Sequence, residues 1–220
     1  MNAAEKSVRV NIVSDVVCPW CVIGYRQLDR AAKDLGLELE IHWAPFELNP
    51  QMAAEGENLR AHLAAKYGTT PEGSRKARAR LTQVGAELGF EFNYADDMRM
   101  VNTFRAHQLL HWAREQGLSV EHDLKQALFG AFFTHRRDLN DVDVLADVAA
   151  SLDLDRAGAL EALATETFAD AVRQEQRFWL QQGVQGVPAM VFDRRYLVTG
   201  AQGVENYTQL LRRLMEEAAA

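Results

Sequence analysis

Residues 8–21 read VRVNIVSDVVCPWC, an apolar run followed by a short turn and two cysteines three positions apart. The apolar run predicts a buried strand, and the stretch after the second cysteine predicts a helix that ends at Gly36. The pair Cys18 and Cys21 therefore falls where a strand meets a helix N-terminus. Free backbone N–H groups and the positive end of the helix dipole stabilise a thiolate at such a place. This position indicates dithiol–disulfide chemistry.

Other roles for the two cysteines fit the sequence less well. A structural disulfide between them would close a very short loop and so restrict the unfolded chain little. A structural zinc site needs four ligands, and no second Cys-x-x-Cys is present. His107 and His111 have the i, i+4 spacing of a shared zinc site, but no third ligand is evident, and we predict no metal. Two inert, buried thiols remain an open alternative.

Composition and charge limit the classes of partner. The chain has 220 residues, 48% of them hydrophobic and 25% charged, which is typical of a globular protein. The net charge is −7, and the one dense basic run, residues 75–80, is predicted to be the solvated side of a helix. We therefore expect neither nucleic acid nor an anionic membrane as a partner.

The cellular compartment is predicted from the same sequence. Residues 1–7 contain no apolar signal region, and no stretch approaches the roughly eighteen apolar residues of a membrane span. We expect a cytoplasmic protein. Structural disulfides are rare in the cytoplasm, which favours a pair that cycles between oxidation states.

The order of predicted elements defines an α/β protein. Apolar residues alternate with polar ones over 37–43, which predicts a second strand and completes a βαβ unit. The right-handed crossover of such a unit makes its strands parallel and places a site at the carboxyl end of the first. Residues 189–192 and 196–198 predict a late hairpin, and residues 204–217 a terminal helix.

Helical periodicity fills the segment between these two groups of elements. Apolar stripes recur along 51–183, with Asp141 a predicted N-cap and Gly183 a predicted helix end. The sequence thus predicts a thioredoxin-like fold with a large all-helical insertion. The thioredoxin-like domain is expected to be discontinuous, comprising residues 7–50 and 184–220, with the inserted helical domain at 51–183.

Four separated motifs carry a resemblance to a known family. They are DVVCPWC at 15–21, PFELNP at 45–50, NTFRAH at 102–107 and GVPA at 186–189. Together they resemble the FrnE-type proteins of the DsbA-like branch of the thioredoxin superfamily. These proteins are often grouped with the 2-hydroxychromene-2-carboxylate isomerases.

The resemblance implies a protein disulfide oxidoreductase with a redox-active centre. In it Cys18 is an exposed nucleophile, Cys21 resolves the mixed disulfide, and Val187–Pro188 is a cis peptide bond beside them. The substrate is expected to be a thiol- or disulfide-containing protein or small molecule. No cofactor is expected, although glutathione is an alternative co-substrate. The residues expected to contact substrate are Pro19, Trp20, Phe46, Asn102, His107 and Val187.

Several assignments stay open at this point. Asp15, three residues before Cys18, is either a proton acceptor for Cys21 or a turn residue that bonds to nearby backbone amides. A glutathione-dependent isomerase or transferase acting on a small aromatic substrate is an alternative function, although such relatives commonly have serine at the position of Cys18. A peptide-binding chaperone is a second alternative.

Overall fold

The first half of the sheet forms as the sequence predicts. The computed structural model describes residues 7–218, so residues 219 and 220 of the predicted C-terminal segment lie outside it. Strand β1 spans Ser7–Ser14, helix α1 Pro19–Leu35 and strand β2 Glu38–Pro45. The two strands are parallel and in register along their whole length. The expected βαβ unit is confirmed, and the cysteine motif lies at the carboxyl end of β1.

The insertion is helical apart from one short pair of strands. Strands β3 and β4 are two residues each and pair antiparallel, which corrects the prediction of an all-helical insertion. An alternating pattern needs about four residues to be recognised, so a two-residue strand leaves no signal in the sequence. The elements in order are β3 (Glu57–Asn58), α2 (Leu59–Tyr67), α3 (Pro71–Glu87), β4 (Arg99–Met100), α4 (Phe104–Arg114), α5 (Leu118–Phe133), α6 (Val142–Ala150), α7 (Arg156–Ala164) and α8 (Ala169–Gln181).

The chain returns to the sheet after the insertion. Strand β5 spans Ala189–Phe192, strand β6 Tyr196–Thr199, and helix α9 Val204–Ala218. The strand order is β2-β1-β5-β6, with β5 antiparallel to both of its neighbours. The predicted thioredoxin-like sheet is therefore confirmed. Among the described helices, none combines the length and apolarity that a bilayer span requires.

Helix boundaries follow local chemistry. Gly36 ends α1 in the left-handed region, with φ 65°, and its N–H bonds to carbonyls of the last turn. Asp141 precedes α6 and accepts hydrogen bonds from the N–H groups of Asp143 and Val144. Both predicted caps are confirmed.

The insertion and the sheet share one buried core. Trp43 of β2 is fully buried, and its ring meets that of Phe129 of α5 with centroids 6.1 Å apart. Arg114 of α4 adds a polar connection, because it bonds to Glu121 at 2.8 Å, to Glu175 at 2.9 Å and to the backbone carbonyl of Trp43. These contacts fix α4, α5 and α8 against β2.

A close approach inside the insertion holds the loop after α3. A Cβ atom on Gly85 would collide with the Phe92 ring and lie 2.8 Å from the carbonyl oxygen of Phe90. The ring of Phe92 in turn stacks on Tyr94, with centroids 5.8 Å apart. Gly85 thus allows the loop that carries Tyr94 to pack directly on α3.

Replacing this glycine should destabilise the protein. We expect Gly85→Ala to lower the free energy of unfolding by about 1–3 kcal/mol, because the added methyl group overpacks a backbone contact. Gly130→Ala in α5 is the matched control, since a Cβ there meets nothing within 4 Å. That variant should gain up to about 1 kcal/mol from helix propensity. Urea unfolding of both variants checks this, and equal midpoints would contradict the packing argument.

Candidate active site

Cys18 lies at the N-cap of α1. Its backbone is extended, with φ −95° and ψ 111°, and Pro19 occupies the first turn of the helix. The Cys18 side chain makes no capping hydrogen bond, and its backbone N–H donates to the Asp15 carbonyl at 3.2 Å. The sulfur therefore lies at the positive end of the helix without capping it.

The segment before β5 lies directly against this sulfur. Cys18 Sγ is 3.7 Å from the carbonyl oxygen of Val187, and the Val187–Pro188 peptide bond is cis. Helix α1 packs closely here, because a Cβ on Gly24 would come within 3.2 Å of Pro188 Cγ. The residues 187–188 and the cysteine motif, 166 or more positions apart in sequence, thus form one site.

The structure corrects the expectation of an exposed nucleophile. Only 4% of Cys18 is accessible to solvent, and Cys21 is fully buried. The cause is tertiary, because the Val187 carbonyl lies against the Cys18 sulfur. No disulfide joins the two cysteines in this structure.

The environment of Cys21 keeps its thiol protonated. Burial raises the pKa of Cys21 well above its usual value, and a hydrogen bond to Cys18 together with the negative charge of Cys18 raises it further. The backbone of Asp15 and the positive charge of Lys125 act in the opposite direction. The balance of these effects favours the neutral thiol of Cys21.

Lys125 is a site residue that the sequence interpretation missed. It lies on α5 and is 1% exposed, with Nζ 5.2 Å from the ring centroids of both Trp43 and Phe129. Burial lowers its pKa to about 8, although the negative charges of Cys21, Asp15 and other groups oppose this. The charge of this buried amine of the insertion therefore acts on Cys18 and Cys21.

The sequence around Lys125 gave a misleading signal. Glu121 and Lys125 have the i, i+4 spacing of a solvated ion pair on a helix surface. In the structure Glu121 bonds to Arg114 instead, and both Glu121 and Lys125 are buried. Leu124 and Leu128 predict one buried face of α5, but in the structure the adjacent face is buried as well.

Asp15 is buried, and its two carboxylate oxygens have different surroundings. Its Oδ2 atom accepts a hydrogen bond from the Leu48 N–H at 2.7 Å. Its Oδ1 atom is 3.5 Å from His107 Nε2 and has no hydrogen-bond partner within residues 7–218. The same His107 nitrogen is 3.0 Å from the Phe46 carbonyl oxygen. Asp15 therefore accepts a backbone amide, as the turn interpretation expects, while one carboxylate oxygen stays open.

Three other predicted site residues differ in their exposure and contacts. Trp20 follows Pro19 in α1 and is 40% exposed. Phe46 is partly buried and packs against a small core that includes Val13. Asn102 supports a loop, because it donates to the Met52 carbonyl at 3.0 Å and accepts from the Phe104 N–H at 2.9 Å. These hydrogen bonds give Asn102 a structural role.

Comparisons with known proteins agree with this architecture. Residues 9–212 match the family described as "DSBA-like thioredoxin domain". The uncharacterized protein YwbO of Bacillus subtilis is 25% identical over 206 residues, which cover 93% of this chain and 96% of that protein. The crystal structure of a probable DsbA oxidoreductase from Streptomyces coelicolor is 32% identical with a TM-score of 0.84, covering 94% of this chain and 89% of the other.

A third similarity concerns the fold alone. The structure of a 2-hydroxychromene-2-carboxylate isomerase has a TM-score of 0.68 at 16% identity, and the match covers 96% of this chain and 98% of the isomerase. The two proteins therefore have the same fold. The grouping with such isomerases that the sequence motifs indicate is confirmed at this level.

Removing the charge of Lys125 should slow the step that depends on the Cys21 thiolate. Because Lys125 lowers the pKa of Cys21, Lys125→Met should raise that pKa further, and each additional unit reduces the thiolate fraction about tenfold. We expect resolution of a mixed disulfide at pH 7 to slow by several-fold, measured by acid quenching and intact mass. Lys33→Met, at an exposed lysine of α1, is the control. Equal resolution rates in both variants would contradict this role.

Proposed function

Because the chain belongs to the DSBA-like thioredoxin family, we propose that it is a thiol–disulfide oxidoreductase that uses Cys18 and Cys21. The observation that supports this best is the position of Cys18 at the N-cap of α1, with the fully buried Cys21 one turn further along the helix. The positive end of a helix stabilises negative charge, and the thiolate is the attacking species in disulfide exchange. Cys18 is then the nucleophile and Cys21 the resolving cysteine.

The exchange proceeds in two displacements. The Cys18 thiolate attacks one sulfur of a substrate disulfide, forms a mixed disulfide and releases the other half as a thiolate. Cys21 then loses its proton and attacks the Cys18 sulfur, which releases the second half of the substrate. Two electrons pass from the protein to the substrate, and the same steps in reverse oxidise a substrate dithiol.

The second displacement needs a proton acceptor and a nearby positive charge. We assign the acceptor role to Asp15, whose Oδ1 atom has no hydrogen-bond partner among the described residues. Lys125 supplies the charge that favours the Cys21 thiolate. His107 is a positioning residue, because its ring lies 3.5 Å from the Asp15 carboxylate. This reaction uses only the protein's own side chains, with glutathione as an alternative co-substrate.

A glutathione-dependent isomerase is the second candidate. One observation favours it, namely the shared fold with 2-hydroxychromene-2-carboxylate isomerase. The sulfur of Cys18 argues for the oxidoreductase, because it forms a disulfide readily, which a serine does not. A cytoplasmic location stays a prediction from the sequence, as do a chaperone role and the identity of the substrate.

Single substitutions of the two cysteines should separate their roles. Cys18→Ser should abolish exchange with 2-hydroxyethyl disulfide, because the nucleophile is lost. Cys21→Ser should still attack but accumulate the mixed disulfide, visible by intact mass as one added hydroxyethylthio group. Iodoacetamide labelling of the reduced parent should modify Cys18 before Cys21.

The opposite pattern would overturn the assignment. Accumulation of the mixed disulfide in Cys18→Ser would make Cys21 the nucleophile. Full exchange activity in both variants would exclude the dithiol mechanism. Glutathione-dependent isomerisation of a chromene carboxylate that survives in Cys18→Ser would support the isomerase instead.

A further inference from the structure

An apolar cavity of about 320 Å³ lies beside the cysteine motif and has no part in the exchange steps above. The residues on either side of Cys18, Val17 and Pro19, belong to its wall, as does Trp20. The insertion supplies the opposite wall, from α2, α3, β4 and the end of α5. This volume falls in the range of small-molecule sites, roughly 300–1,000 Å³.

The walls of the cavity are largely hydrophobic. Its deep residues are aliphatic or aromatic and buried, and two further rings, those of Trp20 and Tyr67, are exposed at 40% and 61%. Ring-sized apolar groups gain free energy from burial in such an environment. The buried apolar residues that line it include Leu59, Leu81, Met100, Phe132 and Phe133.

Two buried hydroxyl groups of the cavity lack a protein partner. Ser74 is 5% exposed, and its Oγ atom makes no hydrogen bond within residues 7–218. The same holds for the buried Tyr94 hydroxyl. Burial, and then the negative charge of Cys18, raise the pKa of Tyr94, so its phenol stays protonated near the sulfur. Buried polar groups are normally satisfied, and two open ones in one cavity indicate a ligand that completes them.

A third polar group in the wall is positively charged. Arg78 lines the cavity, and its Nη1 atom is 3.5 Å from Asp96 Oδ1, a long contact. Asp96 is exposed and has a second partner in Arg60, at 3.1 Å. The Arg78 guanidinium therefore keeps donors for a ligand. The Arg78 guanidinium can only donate hydrogen bonds, and the Ser74 and Tyr94 hydroxyls can donate as well, so a hydrogen-bond acceptor complements all three.

We propose that this cavity binds the organic half of a low-molecular-weight disulfide, a ring-sized apolar group that carries a carboxylate or a similar acceptor. This inference rests on the proposed function and names its substrate class. The 4% exposure of Cys18 argues for a small substrate, because a folded protein disulfide cannot readily approach so enclosed a sulfur.

One half of the substrate occupies the cavity during the first displacement. Cys18 attacks the disulfide and retains one half as a mixed disulfide with its ring in the cavity, while the other half leaves as a thiolate. Cys21 then attacks the Cys18 sulfur and releases the bound half as a second thiolate. The protein loses two electrons and the substrate gains them.

The test measures mixed-disulfide formation on Cys18 in the Cys21→Ser protein. Four disulfides form a two-by-two series, those of 4-(mercaptomethyl)benzoate, benzyl mercaptan, 3-mercaptopropionate and 2-mercaptoethanol, which vary the ring and the carboxylate separately. Equilibrium constants come from intact mass in buffers of each disulfide and its thiol. We expect the ring to favour the mixed disulfide by about tenfold or more.

Variants in the same background locate the binding site. Ala77→Phe on α3 fills the cavity and should remove the preference for the ring. Ala79→Phe, two residues along the same helix and exposed, lies outside the cavity wall and is the matched control. Ser74→Ala and Tyr94→Phe should each reduce the advantage of the carboxylate about threefold to tenfold and leave the ring preference intact. The equilibrium constant of each variant is compared with that of the parent for the same thiol, so intrinsic differences in reactivity between thiols cancel.

Each outcome decides between the two proposals. If no thiol forms a mixed disulfide, the oxidoreductase function itself falls, and the substrate class falls with it. If all four thiols react equally, exchange stands and the cavity proposal is overturned. A ring preference that survives Ala77→Phe would also overturn it. So would a cysteine peptide that exceeds every small thiol, because the occupant would then be a polypeptide. If Ala77→Phe fails to fold, Tyr94→Phe and Ser74→Ala carry the test.

Discussion

The guanidinium of Arg114 joins the insertion to the sheet, and the site depends on that connection. It bonds to carboxylates on α5 and α8 and to the backbone carbonyl of Trp43 in β2. Glu121 is fully buried, so loss of its partner would leave an uncompensated charge, a change that typically costs about 3–5 kcal/mol. Lys125 lies one turn further along α5. The ion pair that anchors the helix therefore also sets the position of the buried amine beside the sulfurs.

Burial of the redox pair has chemical consequences. Desolvation disfavours charge on Cys21, and the nearby lysine and backbone amide offset part of that effect. The insertion thus contributes electrostatics as well as a wall, because Lys125, His107 and Tyr94 all come from it. Enclosure also limits what reaches Cys18. An enclosed site of this kind excludes large molecules before any specific contact with a ligand forms.

The two halves of the site have different physical origins. The cysteine motif depends on local structure, since a strand end, a proline and a helix start place Cys18 at the N-cap. The facing groups come from distant segments: Val187 contacts Cys18 from 169 positions away. His107 approaches Asp15 from α4. The cysteine motif needs only the local structure at the start of α1. The facing groups reach the site only when their distant segments pack correctly.

The sequence by itself determined the βαβ unit, the late hairpin and the Cys18–Cys21 pair. Those features depend on short-range periodicity and on caps such as Gly36, which act within a few residues. Tertiary structure alone decided that Cys18 is enclosed, that Phe46 is partly buried against a small core and that Lys125 is buried. The reason is that burial depends on which distant surfaces meet. A lysine four residues after a glutamate reads as a solvated pair until the packing of α5 removes both from water.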